Sequence, residues 1–296
     1  MRSGTWLLSL ALLSSASITE AAPLAYGVSF DTLYQLDLAT GNATRLGTIG
    51  FNDVEGLAIS ADGTLYGVSD ANKTLIMIDK RTGRGAAVGG LNGNLGLSGQ
   101  GSGQFDAMDF GLTFSCDGKL WLSSDATRKF WEVDPGTGAT RFVGNLGVQI
   151  TALGARGDGV YGFGSNGDES LYGIDLASGQ ARVIGPMHNG STVADGGLDA
   201  DEEGNLWGVL DYRPPQDNKP SDIVRIDHRT GLSTKISTTL TEMEGLAMAP
   251  IRACGADPDP RGPAPVSIPS LQDLGLALLG SLMALLGFLA LDRRRL

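Results

Sequence analysis

Seven carboxylates stand where short apolar runs begin. Asp53 and Glu55 lie in "FNDVEG", Asp106 and Asp109 in "FDAMDFG", Asp195 in "TVADGG", and Glu242 and Glu244 in "TEMEG". Carboxylates brought to one narrow place repel, and each pKa rises unless a cation sits among them. A hard cation such as Ca²⁺ takes about six to eight oxygens, from Asp, Glu and backbone carbonyls. These residues are therefore candidate metal ligands, with Glu55 and Glu244 as the leading pair; the other reading is solvated turn residues. Other chemistry has little to draw on. The histidines are His188, in "GPMHNGSTVADGG", and His228, in "IDHRTG", and neither has an evident nucleophile partner. "GQGSGQ", residues 99–104, follows no strand–helix pattern and is no dinucleotide loop.

The acids repeat because the chain repeats. An aromatic follows an apolar or small residue at Tyr26, Tyr66, Trp121, Tyr161 and Trp207, at spacings of 40, 55, 40 and 46. After each comes an apolar stretch ending in an Asp-x-x-(Thr/Ser)-Gly turn: "LYQLDLATG", "LIMIDKRTG", "FWEVDPGTG", "LYGIDLASG", "IVRIDHRTG". Asp opens such a turn by bonding its own backbone, and Gly takes the positive φ that closes it. A third stretch follows, then an "EGLAIS"-type stretch starts the next unit. Four short strands in roughly 45 residues is the pattern of a propeller blade. No apolar period of 3.6 recurs, which excludes helical solenoids. The expected fold is all-β: a five-bladed β-propeller over residues 23–252.

The ends of the repeat are complementary. "LAYGVS", residues 24–29, begins a unit without its "EGLA" stretch, and "EGLAMAP", residues 244–250, supplies one at the far end. The first blade should thus take its innermost strand from the C-terminal side, closing the ring and leaving no open edge. The carboxylates then face one mouth of the central channel. Two long connections should emerge on the same face, residues 91–104 and 211–222. Tyr212 and Arg213 in the second are candidate ligand contacts, as is His188. Cys116 follows an innermost strand and Cys254 follows the closing one, so both belong at the opposite end of the channel. Export permits a disulfide between them.

Both termini read as addresses. Residues 1–22 have Arg2, an apolar run and small residues at Ala21 and Ala22, which predicts a secretory signal peptide cleaved near Ala21. Residues 253–267 form a Pro-rich spacer, stiff and extended. Residues 274–291 carry no charge, a length that predicts a transmembrane helix. Arg293, Arg294 and Arg295 follow it, placing the preceding domain outside the membrane. The formal charge of −11 argues against nucleic acid as a partner.

Two resemblances follow from these motifs. The tail "IPSLQDLGLALLGSL" resembles the IPTL-type bacterial sorting signal, with Ile268, Pro269, Ser270 and Leu271 at the motif and Ser270 in place of Thr. That resemblance implies processing by an exosortase-like membrane protease and delivery to the cell surface; an uncut tail would be an inner-membrane anchor. The repeat resembles NHL-like and gluconolactonase-like (YVTN-type) propellers. In the lactonase branch a Glu before Gly at the start of an inner strand binds metal, which carries over to Glu55 and Glu244. Where that family has its Asn and Asp ligands this chain has Phe110, Ile150 and Gly196. The sequence thus supports an exported, surface-associated module binding an extracellular ligand or protein, with a Ca²⁺-dependent lactonase-type hydrolase as the alternative.

Overall fold

The computed structural model describes residues 24–97, 109–187, 190, 192–212, 219–248 and 254. The expected signal peptide, transmembrane helix and sorting motif lie outside them, as do the spacer except Cys254, and Asp106, His188, Arg213 and Arg293–Arg295. Among the described residues, no helix is long and apolar enough to cross a membrane. The chain divides into two units, residues 1–256 and 257–296; the first is described below.

The architecture is a five-bladed propeller. Its first three strands are β1 (Leu24–Ser29), β2 (Thr32–Asp37) and β3 (Ala43–Thr48). Blade two follows with β4 (Val54–Ile59), β5 (Leu65–Ser69), β6 (Thr74–Ile78) and β7 (Gly85–Ala87). Blade three has β8 (Phe110–Phe114), β9 (Leu120–Ser124), β10 (Lys129–Val133) and β11 (Thr140–Asn145). Blade four has β12 (Ala152–Arg156), β13 (Gly159–Phe163), β14 (Ser170–Ile174) and β15 (Ala181–Pro186). Blade five has β16 (Val193–Ala200), β17 (Leu206–Tyr212), β18 (Asp222–Ile226) and β19 (Ser233–Thr238), and β20 (Gly245–Ala247) comes last. Each blade is an antiparallel four-stranded sheet, and blade one has the order β20-β1-β2-β3. β20 pairs with β1 through Tyr26–Ala247, Gly27–Leu246 and Val28–Gly245, so the ring closes through the two ends of the repeat.

Five apolar clusters fill the five seams between blades. Val68, Phe110 and Leu122 pack between blades two and three. Trp121, Phe130 and Leu153 pack between three and four, with the Trp121 and Phe130 rings stacked at 5.2 Å. Phe163, Val193 and Leu210 fill the seam of four with five. Val209, Leu36 and Leu246 join blades five and one, and Leu33, Val54 and Ile76 join one and two. Each sheet is therefore buried on both faces, the main stabilising term at about 25 cal/mol per Å² of apolar area.

The Asp-x-x-(Thr/Ser)-Gly turns have a second purpose. In each, the Asp Oδ1 accepts the amide two residues on, as from Ala39, Arg81, Gly136, Ala177 and Arg229. Those bonds to the charged form hold the carboxyls of Asp79 and Asp175 below the usual carboxylate range. In four of the five blades the turn Gly then presses on the outer strand of the preceding blade, while Gly138 meets the Asn94 side chain. A Cβ on Gly144 would come within 1.8 Å of the Ser178 carbonyl oxygen, and one on Gly47 within 2.0 Å of that of Thr82. Blade one's turn closes on blade five in the same way: a Cβ on Gly41 would meet the Thr238 carbonyl oxygen at 1.7 Å. Ser237 Oγ donates to the Leu38 carbonyl there at 2.8 Å, a second closure at the rim. The outer strands are bulged, with register shifts opposite Leu33/Tyr34, Phe130/Trp131, Leu171/Tyr172 and Ile223/Val224. Bulges blunt exposed edges against pairing with other chains.

Candidate metal centre at the channel mouth

The innermost strands β4, β8, β12, β16 and β20 line the axis and pass one another closely. A Cβ on Gly245 would sit 2.2 Å from the Glu55 carbonyl oxygen, and one on Gly197 2.2 Å from the Leu246 amide nitrogen. A small cavity of about 10 Å³ lies among these strands, lined by Gly56, Gly111, Gly197 and Gly245, enough for about one water.

The N-terminal ends of the inner strands form the acidic mouth. Pairing with the second strands places Leu57 opposite Gly67, Leu112 opposite Leu122, Leu153 opposite Gly162, Leu198 opposite Gly208 and Leu246 opposite Gly27. Counting back two residues gives Glu55, Phe110, Thr151, Gly196 and Glu244, and counting back three gives Asp109 and Asp195 in blades three and five. Oxygens from Glu55, Asp195 and Glu244 all lie within 4.8 Å of one another, as do oxygens from Glu55, Asp70 and Asp109. Glu55 is 6% exposed, Asp195 3% and Asp70 1%.

Local bonds orient the first trio. Glu55 Oε2 accepts the Phe110 amide at 2.9 Å, and Asp195 Oδ1 accepts both the Thr151 hydroxyl and the Gly196 amide. The Glu244 amide donates to the Val28 carbonyl at 2.9 Å, and its carboxyl Oε2 is buried without a hydrogen bond among the described residues. Burial pushes all three pKa values well up, and neighbouring charges add to it: Asp70 and Asp195 on Glu55, Asp109 and Glu244 on Asp195, and Asp211 and Asp109 on Glu244. Asp125, whose Oδ1 accepts the Asp109 amide at 3.1 Å, is raised to about 7 by burial and by Asp109. An all-oxygen donor set, buried and mutually repelling, with one oriented oxygen open, fits a hard divalent cation.

The other candidates fall elsewhere. Asp53 and Glu242 occupy matching positions with left-handed backbone, φ 54° and 55°; neither joins a trio. The Asp53 carbonyl accepts the Asp70 amide, and the Glu242 amide donates to Asp211 Oδ1. Tyr212, expected as a ligand contact, is 4% exposed, and its hydroxyl donates to Asp222 Oδ2 at 2.8 Å. It braces the base of its loop instead of presenting a surface. His228 contacts Arg156 at the blade four–five seam. Cys116 and Cys254 form a disulfide, Cα atoms 5.1 Å apart. Cys116 follows the C-terminal end of β8, so this bond lies at the end of the channel away from the acids.

Sequence reasoning passed over Asp70, Asp125, Asp211 and Thr151. The three acids stand five residues after Leu65, Leu120 and Leu206, at the same place beyond or at the end of each second strand: "LYGVSD", "LWLSSD", "LWGVLD". The repeat contained that signal. Blade four, assigned no ligand, contributes the Thr151 hydroxyl.

Residues 266–295 match the IPTL-CTERM motif. No curated protein matches the chain. Among solved structures it is similar to a gluconolactonase from Xanthomonas campestris (15% identity, covering 76% of this chain and 79% of that one, TM-score 0.45). It is also similar to a chain of the nidogen/laminin complex (10% identity, 77% and 98% covered, TM-score 0.49). A symmetrical protein from a study of de novo evolutionary emergence under folding constraints is a third (16% identity, 77% and 99% covered, TM-score 0.46). The chain is thus a five-bladed propeller carrying an IPTL-CTERM sorting segment, which marks it as exported and processed at the surface.

Proposed function

We propose that this exported propeller binds a divalent cation of the Ca²⁺ type at its channel mouth, through Glu55, Asp195 and Glu244, and acts through that mouth as a binding module at the cell surface. In this reading residues 1–22 are a leader, 253–267 a spacer, and 268–296 the segment that anchors the chain until an exosortase-like protease acts. The observation that carries the cation is the trio itself. Three different blades each deliver a carboxylate oxygen to within 4.8 Å of the others, where burial and like charges oppose ionisation. Only protons or a cation relieve that repulsion.

Titrating Ca²⁺ into the metal-free full chain at pH 8 tests this. Binding should raise Tm by several degrees, since a ligand at 100 times its Kd adds about 2.7 kcal/mol. Glu55→Gln should abolish the shift. No binding of Ca²⁺, Mg²⁺ or Mn²⁺ by calorimetry would remove the centre.

Asp125 supports a second reading, a metal-dependent hydrolase. Its carboxyl, raised to about 7 beside Asp109, suits a general base near neutral pH. The bound cation would polarise a substrate carbonyl. Turnover of a lactone panel, lost in both Glu55→Gln and Asp125→Asn, would establish this reading over the first.

A further inference from the structure

We infer that β20 closes the ring as a strand clasped at both ends, and that cation binding at the mouth is coupled to the Cys116–Cys254 disulfide at the other end of the channel. The inference rests on the cation reading above. β20 is three residues long and meets β1 at three positions, a short pairing for the strand that completes a ring.

Its two flanks reach different blades. On the N-terminal side, the Glu244 carboxyl lies among those of Glu55 on β4 and Asp195 on β16. A cation there ties the closing segment to blades two and five at once. The Glu244 Oε2 is buried without a hydrogen bond among the described residues, which leaves that oxygen to a cation. On the C-terminal side, the Met248 amide donates to Asp199 Oδ2 at 2.8 Å. Six residues further, Cys254 is bonded to Cys116, just beyond β8 in blade three.

The coupling follows from who brings what. Glu244 reaches the mouth only when β20 is docked, so the cation selects the docked state. The disulfide restrains the same segment and raises the docked fraction. Apparent affinity scales with that fraction, and the effect is reciprocal: bound cation must protect the docked strand when the disulfide is open. Neither clasp adds much while the other holds.

Hydrogen exchange on the full-length chain in detergent micelles tests this in four states: oxidised or reduced, each with Ca²⁺ or with chelator. The amides of Glu244 and Met248 report the two flanks, since both are bonded in the docked state. They should exchange about tenfold faster or more only in the reduced, Ca²⁺-free state, while β5 amides stay protected in all four. Ca²⁺ should also bind about threefold or more weakly to Cys254→Ser than to the oxidised chain. If that variant fails to fold, reduction of the folded wild-type chain gives the same comparison. Equal Ca²⁺ affinity with and without the bond, or exchange at 244 and 248 indifferent to state, overturns the coupling and leaves the metal centre standing. Absence of Ca²⁺ binding to the oxidised chain overturns the centre and the coupling together.

Discussion

At the residue scale, the carboxylates divide by what surrounds them. Asp79 and Asp175, in the Asp-x-x-(Thr/Ser)-Gly turns, accept amides in solvent and titrate low. Glu55, Asp195 and Glu244 at the mouth lie together and titrate high. Asp199 is a separate case, near the other end of β16. It accepts the Met248 and Ala200 amides, and burial raises its pKa to about 7. A folded-state pKa above the unfolded value of 3.8 means the native state binds the extra proton. The resulting stabilisation is present below about pH 4 and lost as pH climbs through 7. Wild-type chain without metal should therefore melt at higher temperature at pH 5 than at pH 8, and Asp199→Asn should flatten part of that slope. A Tm series for both proteins across that interval checks it; identical slopes would show that Asp199 titrates normally. This residue was invisible as a special carboxylate in the sequence, because "LDADEEG" gives no sign that one of its acids faces the closing strand.

At the element scale, the turn motif was legible and its purpose was not. The spacing from Asp to Gly announced a turn, and the structure forms one in every blade. That the turn Gly docks on the preceding blade's outer strand depends on the ring's geometry. Gly144→Ala should destabilise the fold by about 1–3 kcal/mol, as overpacking does, because its Cβ would lie 1.8 Å from the Ser178 carbonyl oxygen. Gly159→Ala should cost little or stabilise slightly, since nothing lies within 4 Å of the new Cβ. Urea denaturation of the two variants separates a packing role from general loss of glycine. The second strands show the same limit. Their Asp70, Asp125 and Asp211 were visible as a repeat, but a residue at a strand end reads as a turn former until the neighbouring blade's acid is seen beside it.

At the scale of the whole molecule, closure is made twice on one seam. β20 pairs with β1 near the axis, and Ser237 bonds Leu38 at the rim. Ending the chain before Glu244 removes the first closure and keeps the second. The truncated protein should expose the β1 edge at Tyr26–Val28 and self-associate through it, seen as a rise in mass by light scattering. A stable monomer would mean the rim contact and seam packing close the ring alone.

The sequence by itself determined the blade count, the circular closure, the end of the channel that collects the acids and the nature of the tail. The first three follow from local patterns that recur along the chain, and the tail from a single motif; such patterns survive without coordinates. Only the tertiary structure decided which acids meet, that Thr151 and Asp70 join them, that Tyr212 is buried, and that glycines let neighbouring inner strands pass closely. The carboxylate trio and the Thr151–Asp195 bond arise between blades, where residues 44 or more positions apart come together, and no single repeat records its neighbour's side chains.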